Sequence, residues 1–239
     1  MSILESAAVP VLAAAAVAVL LVGHRGVWRY SRTAVTIAHE GGHALVAVLT
    51  GRRLSGIRLH SDTSGVTVSV GRPSGPGMVC TALAGYLAPS VVGVAAAGAV
   101  AADQSPALLW AVVALLLVTL LYVRNLFGGA AILLSGALVG LVAWYGGPQL
   151  RPAFGAVLAW FLLLGGLRAV YELAGGRRRQ ARRDPYRLDS DADQLGRLTG
   201  LPAGLWIGVF VLVAFASLLL GGWLLLGAPR PDDLLAALT

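Results

Sequence analysis

Apolar stretches long enough to cross a bilayer follow one another along most of this chain, and nothing else in it limits the fold so tightly. A membrane-spanning helix needs roughly 20 consecutive, mostly apolar residues. Seven such segments can be drawn, at about 6–23, 33–50, 77–101, 106–123, 126–146, 153–174 and 203–227. The overall balance agrees: 57% of residues are hydrophobic and 12% charged, against about 25% charged in soluble domains. An all-α polytopic membrane protein is predicted, with about seven membrane-embedded helices, and a soluble domain is excluded. The first apolar run, Ala7 to Val22, lacks the basic start and small-residue cleavage site of a signal peptide, so it reads as a retained helix. In this reading residues 1–227 form a single integral-membrane domain, and 228–239 a short polar tail containing Pro229, Pro231, Asp232 and Asp233.

Two stretches break the apolar pattern. In 54–71, Ile57, Leu59, Val66, Val68 and Val70 alternate with polar residues around Ser61-Asp62-Thr63-Ser64-Gly65, which predicts a small β-hairpin. Such a hairpin is either a plain surface element or an edge that captures an extended polypeptide by strand addition. In 175–188, Arg177, Arg178, Arg179, Arg182, Arg183 and Arg187 predict a basic cytoplasmic loop beside anionic lipid. Arginines that set topology account for the net charge of +7, and no nucleic-acid partner is implied. With that run inside, Arg52, Arg53, Arg58, Arg72 and Arg124 fall inside too, making eleven; Arg25, Arg29, Arg32, Arg151 and Arg230 make five outside. The hairpin and the acidic stretch Asp189-Ser190-Asp191-Ala192-Asp193 then share the cytoplasmic face. Cys80 is the only cysteine, which rules out an intramolecular disulfide and a multi-cysteine metal site.

The second segment carries His39-Glu40-Gly41-Gly42-His43, ionisable groups where they are costly. The H-E-x-x-H spacing puts two imidazoles on one helix face, able to reach one metal ion. Glu40 lies beside that face and can serve as general base for a water activated by the metal. A chain with four His and three Glu in 239 residues would show the pattern by chance on the order of 1 time in 1000. A catalytic zinc site takes three protein ligands and leaves the fourth position for water. His24 and His60 read as solvated or interfacial, Glu172 as the i+4 partner of Arg168, Asp62 as a turn residue and Asp184 as a loop residue. Asp189, Asp191 and Asp193 remain. Ser190 with Asp193 three residues on reads as an acidic capping box, which occupies Asp193. Asp191 in the first turn is then the leading third ligand, with Asp193 and Asp189 as alternatives. Leu198-Thr199-Gly200-Leu201-Pro202 next breaks or bends the helix, as is tolerated where a helix lines a cavity.

These residues carry a family resemblance. His39-Glu40-Gly41-Gly42-His43 in a membrane helix is followed by Ala-Leu-Val-Ala-Val-Leu-Thr-Gly and the Gly/Ser-rich hairpin. Ser190-Asp191-Ala192-Asp193-Gln194-Leu195 and Leu198-Thr199-Gly200-Leu201-Pro202 then precede a late membrane helix. In both respects the chain resembles the site-2 protease-type intramembrane zinc metalloproteases. More narrowly, it is similar to their compact bacterial branch without an extracytoplasmic peptide-binding domain. The larger family usually carries its third ligand in a Leu-Asp-Gly segment; Leu188-Asp189-Ser190 stands here, so Asp189 and Asp191 both qualify as its equivalent. The resemblance implies zinc-dependent cleavage of a transmembrane or membrane-anchored protein in a bacterial plasma membrane. It also implies one zinc per chain on His39, His43 and Asp191, with Glu40 as general base. A rival reading keeps the fold as a non-proteolytic zinc scaffold, which has no use for Glu40. A second rival is a transporter with a metal site, opposed by the lack of an inverted repeat and by the scarcity of acids in the other segments.

Overall fold

The computed structural model describes residues 3–184 and 188–227; the expected polar tail and Arg187 lie outside the described residues. The order is α1 (Ile3–Gly23), α2 (Arg25–Leu49), β1 (Arg53–Leu59), β2 (Gly65–Val70), α3 (Pro76–Ala101), α4 (Ser105–Tyr122), α5 (Leu126–Tyr145), α6 (Leu150–Arg183), α7 (Asp191–Thr199) and α8 (Ala203–Leu226). Five helices, α3, α4, α5, α6 and α8, are each long and apolar enough to cross a membrane. α1 and α2 meet that test only together, as a pair bent by 100°. Among the described residues, length and apolar character give five spans, or six with the bent pair, against the about seven membrane-embedded helices expected.

The bend explains the difference. α2 begins at Arg25 rather than near residue 33, capped by His24, whose Nδ1 accepts from the Val27 N–H at 3.4 Å. Ser31 Oγ donates to the Leu21 carbonyl at 2.9 Å and braces the corner. Arg32 Nε stands 3.3 Å from Glu172 Oε2 on α6, and its Nη1 donates to Thr63 Oγ1 in the hairpin turn at 3.1 Å. Arg32 thus joins the hairpin turn to α6. α6 also runs unbroken to Arg183, so most of the expected basic loop is helix. Arginine is a good helix former, and Arg182 and Arg183 in the last turn complement the carbonyl end of the helix dipole.

α3 is the hub, packing on α2, α6, α7 and α8. Lipid supplies no hydrophobic drive between helices, so close approach of small residues holds them together. At Gly93 a Cβ would lie 3.1 Å from the Leu163 backbone nitrogen on α6, and Ala96, Ala97 and Ala159 are fully buried in the same helix layer. α4 and α5 leave Leu117, Leu121, Leu134 and Leu138 exposed, a surface suited to a lipid solvent.

In the hairpin Ile57 pairs with Thr67 and Leu59 with Gly65. Ile57 and Leu59 are buried with Leu116 and Ile132, while Val66, Val68 and Val70 are exposed on the other face. The outer edge of β1 is covered by the α4–α5 connector. Arg124 N–H donates to the Ile57 carbonyl at 2.9 Å. The Asn125 side chain accepts from Leu59 N–H at 3.2 Å and donates to its carbonyl at 2.6 Å. β2 has no strand on its outer edge among the described residues. Asn125→Ala strips both bonds from Leu59, and unsatisfied buried groups cost about 1–3 kcal/mol each. The expected result is a lower thermal midpoint and faster hydrogen exchange at the Leu59 amide.

Candidate metal centre

α2 and α3 cross closely at Gly42, where a Cβ would run into Ala88 Cβ and the Ala84 carbonyl. The crossing lays the H-E-x-x-H face of α2 on Thr81, Gly85 and Tyr86. His43 Nδ1–H donates to the Thr81 carbonyl at 2.7 Å. A carbonyl can only accept, so this bond sets the tautomer and leaves the Nε2 lone pair free. The His39 ring stands edge-on to Tyr86, centroids 4.7 Å apart, and Tyr86 stacks on Phe210 of α8 at 5.1 Å. Gly85 supplies the room, because a Cβ there would fall on His43 Nε2 and His39 Cε1.

α7 brings in the acid. Ser190 Oγ accepts from Asp193 N–H at 3.3 Å, and Asp193 Oδ2 accepts from Ser190 N–H at 3.2 Å, closing a capping box. Asp193 Oδ1 also accepts from Arg177 Nε at 2.7 Å. Burial pushes this carboxyl up, but the Ser190 hydroxyl and Arg177 outweigh it and hold it below the usual carboxylate range. Ala192 and Leu195 bury against Ala82 and Phe210 and seat the helix. Next to them, Asp191 Oδ2 lies 3.3 Å from His39 Nε2 and 3.2 Å from His43 Nε2. The two Nε2 atoms are 3.2 Å apart.

The other candidates stand elsewhere. Asp189 is exposed and pairs with Arg197 at 3.0 Å. His24 caps α2, and His60 Nδ1 is 3.3 Å from Ser64 Oγ in the turn. Glu172 is shared by Arg32, Arg168 and the Trp28 indole N–H. Among the described residues, His39, His43 and Asp191 are the one group of three His, Cys, Asp or Glu side chains able to hold a metal.

The spacing suits zinc. Bonds of about 2.0–2.1 Å at tetrahedral angles give ligand–ligand edges of about 3.3–3.4 Å. Asp191 Oδ2 is buried without a hydrogen-bond donor. The Thr81 bond leaves the His43 Nε2 lone pair facing Asp191 Oδ2, and a cation between them would satisfy both. Two imidazole nitrogens and a carboxylate oxygen form a donor set zinc accepts readily.

Glu40 is buried, and Thr67 Oγ1 donates to its Oε2 at 2.6 Å. A Cβ at Gly65 would meet Oε1 at 2.5 Å, so β2 lies directly along this carboxylate. A cavity of about 200 Å³ opens here, lined in part by Arg32, His39, Glu40, Ser64, Gly65 and Tyr86.

The family model described as Peptidase M50B-like matches residues 12–221. The chain belongs to this family. It is an integral, multi-pass membrane protein of the site-2 protease family, whose M50 members are zinc metalloproteases. No curated protein and no solved structure matches it. In this M50B-like chain the pattern of His and acidic residues points to the histidines and Asp191, but not to Thr67, Gly65, Gly85 or Tyr86. Gly65-Val66-Thr67 does carry a signal, a small and a hydroxyl residue sharing one strand face. Gly85 and Tyr86 sit in an apolar run with no local mark. Gly85→Ala, which crowds both imidazoles, is expected to lower metal retention relative to the unsubstituted protein, as metal analysis would show. Gly129→Ala, where a Cβ meets nothing within 4 Å, is expected to leave it unchanged.

Proposed function

We propose that the protein is a zinc-dependent intramembrane endopeptidase that cuts a peptide bond in a transmembrane or membrane-anchored protein, in a bacterial plasma membrane. One observation carries the reading: His39, Glu40 and β2 line a single cavity of about 200 Å³, beside a triangle of ligand atoms closed by His43 and Asp191. In this reading His39, His43 and Asp191 hold one zinc, which when bound polarises water and the scissile carbonyl. Glu40 takes the proton of the attacking water on its carboxylate and returns it to the leaving amide nitrogen. The Thr67 hydroxyl fixes the Glu40 carboxylate, so that proton transfer requires no reorientation.

Helical carbonyls are shielded and hydrogen-bonded, so a substrate helix must unwind before it can react. Its freed peptide groups then need partners, and an exposed strand edge offers them. With β1 covered by Arg124 and Asn125, strand addition goes to β2, the strand that touches Glu40. A scaffold leaves the buried Glu40–Thr67 pair without a task. No observation favours a transporter, since Glu172 is already neutralised by Arg32 and Arg168.

Zinc content and cleavage of a candidate membrane substrate, measured on the same preparations, test the proposal. Glu40→Gln is expected to keep its zinc and lose about 10²–10⁴-fold in cleavage rate. Asp191→Asn is expected to lose zinc and activity together. Val68→Pro, which breaks the β1–β2 ladder opposite Gly56 and so distorts β2, should keep zinc and cleave slowly. Full zinc with full activity in Asp191→Asn removes that residue from the ligand set, and a fully active Glu40→Gln overturns the mechanism.

A further inference from the structure

Away from the metal centre, a groove of about 560 Å³ runs between α1, α6 and α8, lined in part by Val19, Val22, Leu164, Leu167, Tyr171 and Val211. Its lining side chains are hydrocarbon except for the Tyr171 hydroxyl and Arg168. That guanidinium is already committed to Glu172, to the Val22 carbonyl and to the face of Trp28.

The α6 wall is a single helical stripe through 164, 167, 168, 171 and 174. Carried forward at about 100° per residue, the stripe reaches 178 and 182, with 179 at its flank. Arg178, Arg179 and Arg182 are all exposed, and among the described residues none of them is in an ion pair. Arg177 turns the other way, to Asp193 on α7. One face of α6 thus passes from an apolar groove to three unpaired guanidinium groups. Tyr171, 79% exposed, stands between the two. Aromatic side chains of this kind mark the level where hydrocarbon gives way to headgroups. Arg178 rises about 10 Å beyond Tyr171 along the helix, and an arginine can fold its long side chain back toward that level.

We propose that this face binds one anionic glycerophospholipid from the bilayer, an acyl chain in the groove and the phosphate on Arg178, Arg179 and Arg182. Guanidinium groups pair with phosphate oxygens bidentately, and the cationic end of a choline headgroup would be repelled here. A docked peptide helix, about 10–12 Å across, asks for more volume than the groove offers. Val22 and Gly23, on the α1 side, lie next to the corner where His24 caps α2. The lipid therefore buttresses the turn that sets the metal-motif helix. The inference stands without the protease reading.

The test is native mass spectrometry of the delipidated full chain, offered equal amounts of phosphatidylglycerol and phosphatidylcholine. One phosphatidylglycerol per chain is expected to be retained, with a preference of about tenfold or more over phosphatidylcholine. The triple variant Arg178→Gln, Arg179→Gln, Arg182→Gln should lose that preference. Ala174→Trp, which fills the groove, should lose the bound lipid while its circular dichroism stays that of wild type. Glycerol phosphate alone should not bind. Equal retention of the two lipids overturns the proposal, as does unchanged binding in either variant or displacement of the lipid by a hydrophobic peptide helix.

Discussion

Three potential ligand atoms, His39 Nε2, His43 Nε2 and Asp191 Oδ2, are held within 3.2–3.3 Å of one another, and their convergence is the constraint around which the rest is arranged. Helices α2 and α7, far apart in sequence, must meet on α3 for the triangle to close. Gly42 lets α2 approach α3 closely, and Gly85 clears the space in which the three atoms converge. Asp193 is used up by Ser190 and Arg177, so α7 is anchored by one acid and free to offer the other. A cation in the triangle would bind all three atoms at once, coupling metal binding to the docking of α7.

The same geometry joins the metal centre to the hairpin. Thr67 and Gly65 touch Glu40, and the turn beside them is latched through Thr63 to Arg32 and thence to Glu172 on α6. α2 therefore carries both the metal motif and the residue that fixes the hairpin tip. With β1 covered by the α4–α5 connector, β2, whose face touches Glu40, has no strand on its outer edge among the described residues.

What could be read from the chain follows from how local each cause is. A lipid solvent writes a span as an uninterrupted apolar run, so the expected 77–101, 106–123, 126–146 and 203–227 lie within a residue of α3, α4, α5 and α8. The corner between α1 and α2 was hidden, because the arginines at 25–32 look like an exposed connector until Glu172 is known to face Arg32. The helical continuation of α6 was hidden likewise, since charge marks the end of a span but not the end of a helix. At the site, the H-E-x-x-H pattern and the capping box are local and legible. Thr67, Gly85 and Tyr86 matter only through contacts made across the fold, which spacing along the chain does not record.

In the proposed centre α2 and α7 together build one zinc site from two imidazoles and a carboxylate. Zinc K-edge X-ray absorption on the purified protein measures this directly. One zinc per chain is expected, with two imidazole ligands and oxygen neighbours, all at about 2.0–2.1 Å. A third imidazole, a sulfur neighbour at about 2.3 Å, or no stoichiometric zinc would contradict it.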